Sequence, residues 1–350
     1  MIICHRDHIY SQCAQESGIF GICPKTVCFA NLPLSPLMDE HGMLKILYNM
    51  GVGNEMFPLL IFIGIGALTD FGPLLENPRL VLLGAAGQFG IFLTLLLALL
   101  LGFSQPEAAS IGIIGAIDGP TSIYVSGILA PHLVGPITVA AYSYMSLVPI
   151  ILPPVIRLMT TKEERMIRMP YSQRKISKRT RILFPIVVTV MVGTLVPFAT
   201  PLIGMLMLGN LMKESGAVER LTKASSNEIA NTVTLFLGLA IGSTMVGTDF
   251  LQPSTLFILV LGLLAFALDG CAGVFFAKIL NWLSGGKINP IIGAAGISAF
   301  PMAARVAQRV AQEEDFENFL LMHAMGANAA GQVASVVAGG VLLALMGAGG

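Results

Sequence analysis

This chain of 350 residues is short of charge: Asp, Glu, Lys and Arg make up 11% of it, against about 25% in an ordinary soluble domain. That shortage excludes a soluble globular protein. A hydrophobic content of 55% excludes a disordered one. Neither sign of charge is in excess, 20 basic residues standing against 20 acidic, so net charge points to no nucleic acid and no acidic partner. The sequence also lacks a GxxxxGK(S/T) phosphate loop, a GxGxxG fingerprint and an HExxH helix. Any driving force must therefore come from an ion gradient or from chemistry presented by a partner. Cysteine is scarce past residue 28: Cys4, Cys13, Cys23 and Cys28 precede it, at spacings that match no CxxC zinc pattern. Despite His5 and His8 nearby, residues 1–42 read as a loose, reduced arm rather than a metal site. The arm has no continuous apolar core of the signal-peptide kind, and no role is assigned to it.

Long apolar runs are what the chain has instead. Segments 56–69, 80–103, 134–158, 182–212, 229–247, 255–281 and 318–346 are apolar. A bilayer crossing takes about 20 residues at 1.5 Å rise, so the chain is a polytopic membrane protein. Pro197 and Pro201 interrupt 182–212, which reads as two short spans or one bent one. Two further stretches, 108–131 and 289–310, carry Gly, Pro, Ser and a charged residue at their centres. Neither half of either is long enough to cross alone.

The broken stretches are related. IIGA opens the centre of the first at residue 113 and recurs in the second at 291, 178 residues on. TDF recurs at an offset of 179, and Gly84 and Gly262 are again 178 apart. Three matches at one offset in one order read as two repeats, each a span, a span, a broken hairpin and a span. The basic stretch 159–181, with Arg157 just before it, is cytoplasmic by the positive-inside rule, and a contact with anionic lipid implies the same side. If 182–212 crosses twice, the second repeat is inverted. The expected architecture is an all-α polytopic membrane protein with two inverted repeats, each bearing a re-entrant hairpin, as in elevator-type secondary transporters. The expected organisation is arm 1–42, first repeat 43–158 with hairpin 108–131, basic loop 159–181, connecting membrane segments 182–228, and second repeat 229–350 with hairpin 289–310.

Asp118 sits in the middle of the first hairpin, where an ionisable group is costly unless paired or hydrated. It can cap the half-helix that begins at Pro120. With Thr121 and Ser122 it also supplies hard oxygen ligands, and one carboxylate among neutral oxygens suits a monovalent cation. In the second hairpin, Asn289 reads as either a cap or a ligand, and Ser298 as a ligand or a small packing residue. Arg305 reads as a snorkelling cation or a fork for a carboxylate. Gly293 and Gly296 permit a backbone break. Tyr142 and Tyr144 lie too deep for an aromatic belt, so a buried phenol is a candidate proton donor. Asp269 is either a second intramembrane acid or a helix-end residue facing water. His323 and Asn328 face the site or serve as interhelical glue.

The segments GIIGAIDGPTSIY, VAAYSYMSLVPI, PLIGMLMLGNLMKESG, KINPIIGAAGISAFPMAARV and NFLLMHAMGANAAG together resemble the β subunit of sodium-ion-translocating, biotin-dependent decarboxylases of the oxaloacetate, methylmalonyl-CoA and glutaconyl-CoA type. The resemblance runs from about Glu40 to the C-terminus, with the motifs in family order. It implies a subunit that decarboxylates carboxybiotin and couples this to Na+ export and proton uptake. The biotin would reside on a partner, because no EAMKM-type motif is present here. Implied partners are carboxyltransferase and biotin-carrier subunits, a small membrane-anchoring subunit, membrane lipid and further copies of the chain, in a bacterial or archaeal cell membrane. It implies that Asp118, Tyr144, Ser298 and Arg305 carry the chemistry. Asp118, Thr121, Ser122, Asn289, Gly293 and Ser298 would hold Na+, and Arg305 and Asn289 would meet the carboxylated biotin. The sequence departs from the pattern at GAIDGP, GANAAG, Leu152 and Asp269. The alternatives from other classes are a Na+-coupled solute carrier without decarboxylase chemistry and a structural membrane anchor.

Overall fold

A computed structural model describes residues 41–170, 176–245 and 252–347. The described residues are helical, with no β-strand. The arm before residue 41 and the second TDF lie outside them.

Helix α1 (Met43–Gly51) meets α2 (Met56–Leu68) at a 60° bend, and the pair is apolar enough to cross a membrane together. A short α3 (Gly72–Glu76) leads to the span Pro78–Leu100. The sequence reads this span as continuous, yet it is broken into α4 (Val81–Ala86) and α5 (Phe89–Leu100). The break has a packing cause. A side chain at Gly87 would meet the carbonyl oxygen of Gly296 at 2.5 Å, so the second hairpin presses on backbone here. Breaking a helix frees polar groups that must be satisfied internally at this depth. Gln88 donates to the carbonyls of Gly84 (3.1 Å) and Gly296 (3.5 Å), and the Asp269 carboxylate accepts from the N–H of Gly90.

The first hairpin follows as α6 (Gln105–Gly112), a 3-10 turn over Ile113–Ala116, and α7 (Gly119–Leu129). Ser104 and Glu107 form a capping box at its start, and Glu107 reaches His132 at 3.0 Å just past its end. Both feet of the hairpin therefore lie together, and the segment returns to the side from which it enters. Next comes α8 (Val134–Met159), whose 26 residues at 1.5 Å rise span roughly 39 Å.

The basic stretch begins with α9 (Lys162–Arg165). Helices α10 (Lys178–Leu195) and α11 (Thr200–Ser215) follow, joined by a tight turn at Pro197–Ala199. Arg181 near the start of α10 lies 3.8 Å from Glu214 at the end of α11. The two helices are thus antiparallel: segment 182–212 goes out and comes back. Helix α12 (Glu219–Ala224), a π turn over Ser225–Ile229 and α13 (Ala230–Ser243) complete the middle of the chain.

Helix α14 (Pro253–Leu283) is the longest span. The second hairpin is a 3-10 run over Pro290–Gly296, an extended stretch, and α15 (Met302–Glu314). Its two feet are tied to the same place: Asn289 and Asn318 each donate to the carbonyls of Arg165 and Ile167, at 2.8–3.2 Å. Around that clasp, Arg157 pairs with Glu313, Arg165 with Glu314, and Arg168 with Asp315 and Glu317. The Arg168 guanidinium holds the Asp315 carboxyl below the usual carboxylate range. The first hairpin has its feet at the start of α8 and the second at its end. They enter from opposite ends of the molecule.

Helix α16 (Leu321–Leu345) closes the chain and runs through the centre, two thirds of its apolar window being buried. Glycine and alanine let neighbours approach its backbone. Gly331 meets the carbonyl of Gly296, Gly339 meets Thr121, and Gly340 meets Ala199. Leucines and valines of α10, such as Leu183, Val187, Val190 and Leu195, are exposed instead and form a lipid-facing surface.

Candidate functional site

The two identical IIGA tetrads fold alike, each within a 3-10 turn, and the two hairpins meet where these turns end. The N–H of Ser298 donates to the carbonyl of Ala116 at 3.2 Å, joining one break to the other.

In the first hairpin, Ile117 takes the left-handed conformation (φ 53°), which a β-branched residue adopts only when its surroundings impose it. That turn aims Asp118 at the positive end of α7, where a carboxylate is favoured. Asp118 is 3% exposed. Its Oδ1 accepts from the Thr121 N–H (3.4 Å), and its Oδ2 accepts from the Thr121 hydroxyl (2.7 Å) and from the Ser335 hydroxyl of α16 (3.0 Å). Ser122 faces the other way, its hydroxyl donating to the Asp118 carbonyl at 2.9 Å. Sequence reading missed Ser335. It sits in a run of small residues that looks like packing, and only the fold brings it 217 positions back to Asp118.

In the second hairpin the backbone after Gly296 is extended and is caught by side chains of α16. Asn328 donates to the Ile297 carbonyl at 2.6 Å, Gln332 donates to that of Ser298, and the Ser298 hydroxyl donates to the Gly331 carbonyl at 2.8 Å. Asn328, Gln332 and Ser335 stand at i, i+4 and i+7, on one face of α16. Their amide groups spend nitrogens on the hairpin and leave oxygens over. The buried side-chain oxygens of Gln88, Asn328 and Gln332 have no hydrogen-bond partner among the described residues. A carboxylate, hydroxyls and three amide side chains therefore gather at the two hairpin breaks. The donor set is hard oxygen throughout, the chemistry a small monovalent cation takes. Among the described residues no cluster of His, Cys, Asp or Glu suits a transition metal.

The other candidates fall in different places. Asn289 caps the second hairpin, accepting from Ile291 N–H at 3.0 Å, while its nitrogen clasps the basic loop. Gly293 packs backbone to backbone on Gly273 of α14. Arg305 is half-buried, and its side chain has no ion pair or hydrogen bond among the described residues. The two tyrosines part company. The Tyr142 ring lies against Gly119, beside Asp118, whereas Tyr144 donates to the Leu259 carbonyl and packs on Gly262 of α14. Asp269 is not at a wet helix end: it is fully buried within α14, capping α5 through Gly90, with Oδ2 unpartnered among the described residues.

Comparison with known proteins identifies relatives over most of the chain. Residues 20–346 match the family described as Na+-transporting oxaloacetate decarboxylase beta subunit. The chain is 56% identical over 308 residues to oxaloacetate decarboxylase beta chain 2 of Salmonella typhimurium, covering 86% of this chain and 71% of that one. It is 51% identical over 347 residues to the methylmalonyl-CoA decarboxylase subunit beta of Propionigenium modestum, covering 94% and 88%. Glutaconyl-CoA decarboxylase subunit beta of Acidaminococcus fermentans is 52% identical over 318 residues, with 91% and 84% covered.

Proposed function

Because the chain belongs to the family of Na+-transporting oxaloacetate decarboxylase beta subunits, we propose that its hairpin junction is where decarboxylation is tied to Na+ movement. The chain is a membrane subunit of a Na+-pumping decarboxylase. A solute carrier without that chemistry finds no support in these relatives.

The reaction is loss of CO2 from carboxybiotin carried by a partner subunit. The bond between the ureido nitrogen and the carboxyl carbon breaks, its electron pair stays on nitrogen, CO2 leaves, and the nitrogen takes one proton. Na+ is the cargo. Asp118 with Thr121 and Ser335, and the amide oxygens of Gln88, Asn328 and Gln332, form its ligand shell. Na+ arriving at a carboxylate or hydroxyl displaces a proton, and in a low-dielectric site one cation and one proton compete strongly. Tyr142 beside Asp118 is placed to relay that proton, while Tyr144, Ser298 and Arg305 act from around the junction. The observation that carries the reading is the Asp118 carboxylate held by three donors at the contact of the two hairpins.

Two inverted repeats with alternating access fit the same features. The hairpins enter from opposite ends of α8, and the connecting segment 182–212 doubles back. The relation is also reciprocal: Gly84 of the first repeat packs on α16 of the second, and Gly262 of the second packs on Tyr144 of the first. The complex would comprise carboxyltransferase, biotin-carrier and small anchoring subunits in a bacterial or archaeal cell membrane. In proteoliposomes holding the whole complex, Asp118→Asn should abolish Na+-stimulated decarboxylation. Retained stimulation refutes the assignment of Asp118.

A further inference from the structure

We propose that the cavity between α3, the end of α14 and the start of α16 is the docking pocket for the carboxylated cyclic urea that the partner presents. The inference rests on the decarboxylase reading above. The cavity measures about 400 Å³, within the range of small-ligand pockets. Its walls come from both repeats: Asn77 and Arg79 follow α3, Met169 and Pro170 end the clasped part of the basic loop, and Lys287 and His323 flank the second hairpin.

Four observations fit it to that ligand. Arg79 and Lys287 are exposed cations, and neither forms an ion pair among the described residues. Glu76 opposes them from the same wall, leaving one positive charge in excess for an N-carboxylate. Pro73, Met169, Pro170, Ile288 and Met322 line much of the rest and offer an apolar bed for a fused bicyclic ring. The pocket also opens beside the basic loop, the cytoplasmic side on which a soluble carrier would arrive. Finally, it adjoins the moving part: Lys287 stands two residues before Asn289, which caps the second hairpin and whose N–H contacts Met169 Sδ at 3.3 Å. An occupant held by Lys287 bears on the hairpin that carries Ser298 to Ala116.

The test uses the whole complex in membranes with free carboxybiotin as substrate. Arg79→Gln and Lys287→Gln should each raise KM by up to about fivefold, the loss of one exposed charge pair. The maximal rate and the Na+ half-saturation should stay at parental values, Glu76→Gln should lower KM, and Lys287→Arg should restore it. An unchanged KM in the double Gln variant overturns the pocket, as does a Na+ half-saturation that moves with KM. Asn77→Cys reads occupancy without turnover: free carboxybiotin should slow its reaction with a maleimide, and an unslowed reaction overturns the proposal. If the parent complex fails to decarboxylate carboxybiotin while the cysteine is still protected, the functional reading falls and the pocket stands.

Discussion

The two hairpins share a tetrad and a 3-10 turn, yet they make opposite contributions to the junction. The first brings its own charge and caps it locally: Asp118 and Thr121 are three residues apart and would meet in the isolated segment. The second brings no carboxylate to the junction. It offers backbone carbonyls at Gly296, Ile297 and Ser298, each taken by an amide from another element. One half of the site is chemistry written locally, and the other is strain-free extended backbone held from outside. A carboxylate can be positioned by three residues, whereas an exposed backbone in a membrane needs partners for every polar group.

The equivalent glycines of the two tetrads break this comparison most severely. A Cβ at Gly293 would lie 2.1 Å from the Gly273 carbonyl oxygen, which is backbone and cannot yield; at Gly115 it would lie 2.9 Å from a carboxylate oxygen of Asp269. Gly293→Ala should therefore abolish assembly of the folded chain, read by detergent-stable yield, and Gly115→Ala should reduce it less. Equal yields would show that the two turns are not packed as differently as they look. Ser335→Ala comes next. It removes one of three donors to a buried carboxylate, a hydrogen bond worth about 1.5–3 kcal/mol. The Na+ half-saturation should rise at least about tenfold, with assembly intact. Ser298→Ala deletes a neutral hydroxyl bonded to backbone, worth about 1 kcal/mol. Its Na+ half-saturation should shift by roughly fivefold, and an unchanged value assigns Ser298 to packing. The smallest effects belong to the feet. Glu107→Gln and Arg168→Gln break exposed ion pairs that solvent screens, so thermal stability should drop slightly. Because Arg168 lowers the Asp315 carboxyl, the second pair persists above the ordinary carboxylate range and is lost as pH falls through the lowered value. Single cysteines at His132 and Arg168 should react from opposite sides of the membrane; labelling from one side would end the opposed-hairpin geometry.

Asp269 adds a contrast to Asp118. Both acids cap half-helices, but Asp118 caps its own and Asp269 caps another through Gly90, 179 residues earlier. The first was legible from the Asp-Gly-Pro signal. The second was not, because nothing near Asp269 in the chain announces a break at Gly87 and Gln88. The same limit hid Ser335 among small residues, gave no sign that Tyr142 rather than Tyr144 lies beside Asp118, and read the basic stretch as a topology signal without its acidic partners at 313–317.

The sequence by itself determined the apolar spans, the two broken stretches, the placing of Asp118 before Pro120 and the family. These depend on composition, on local capping and on motifs that lie within a few residues of one another. Tertiary structure alone decided that segment 182–212 doubles back and that the hairpins enter from opposite ends. It also decided which hydroxyls and amides surround the junction. Those outcomes depend on which buried backbone groups lack a partner once helices break, and their partners come from elements far away in the chain.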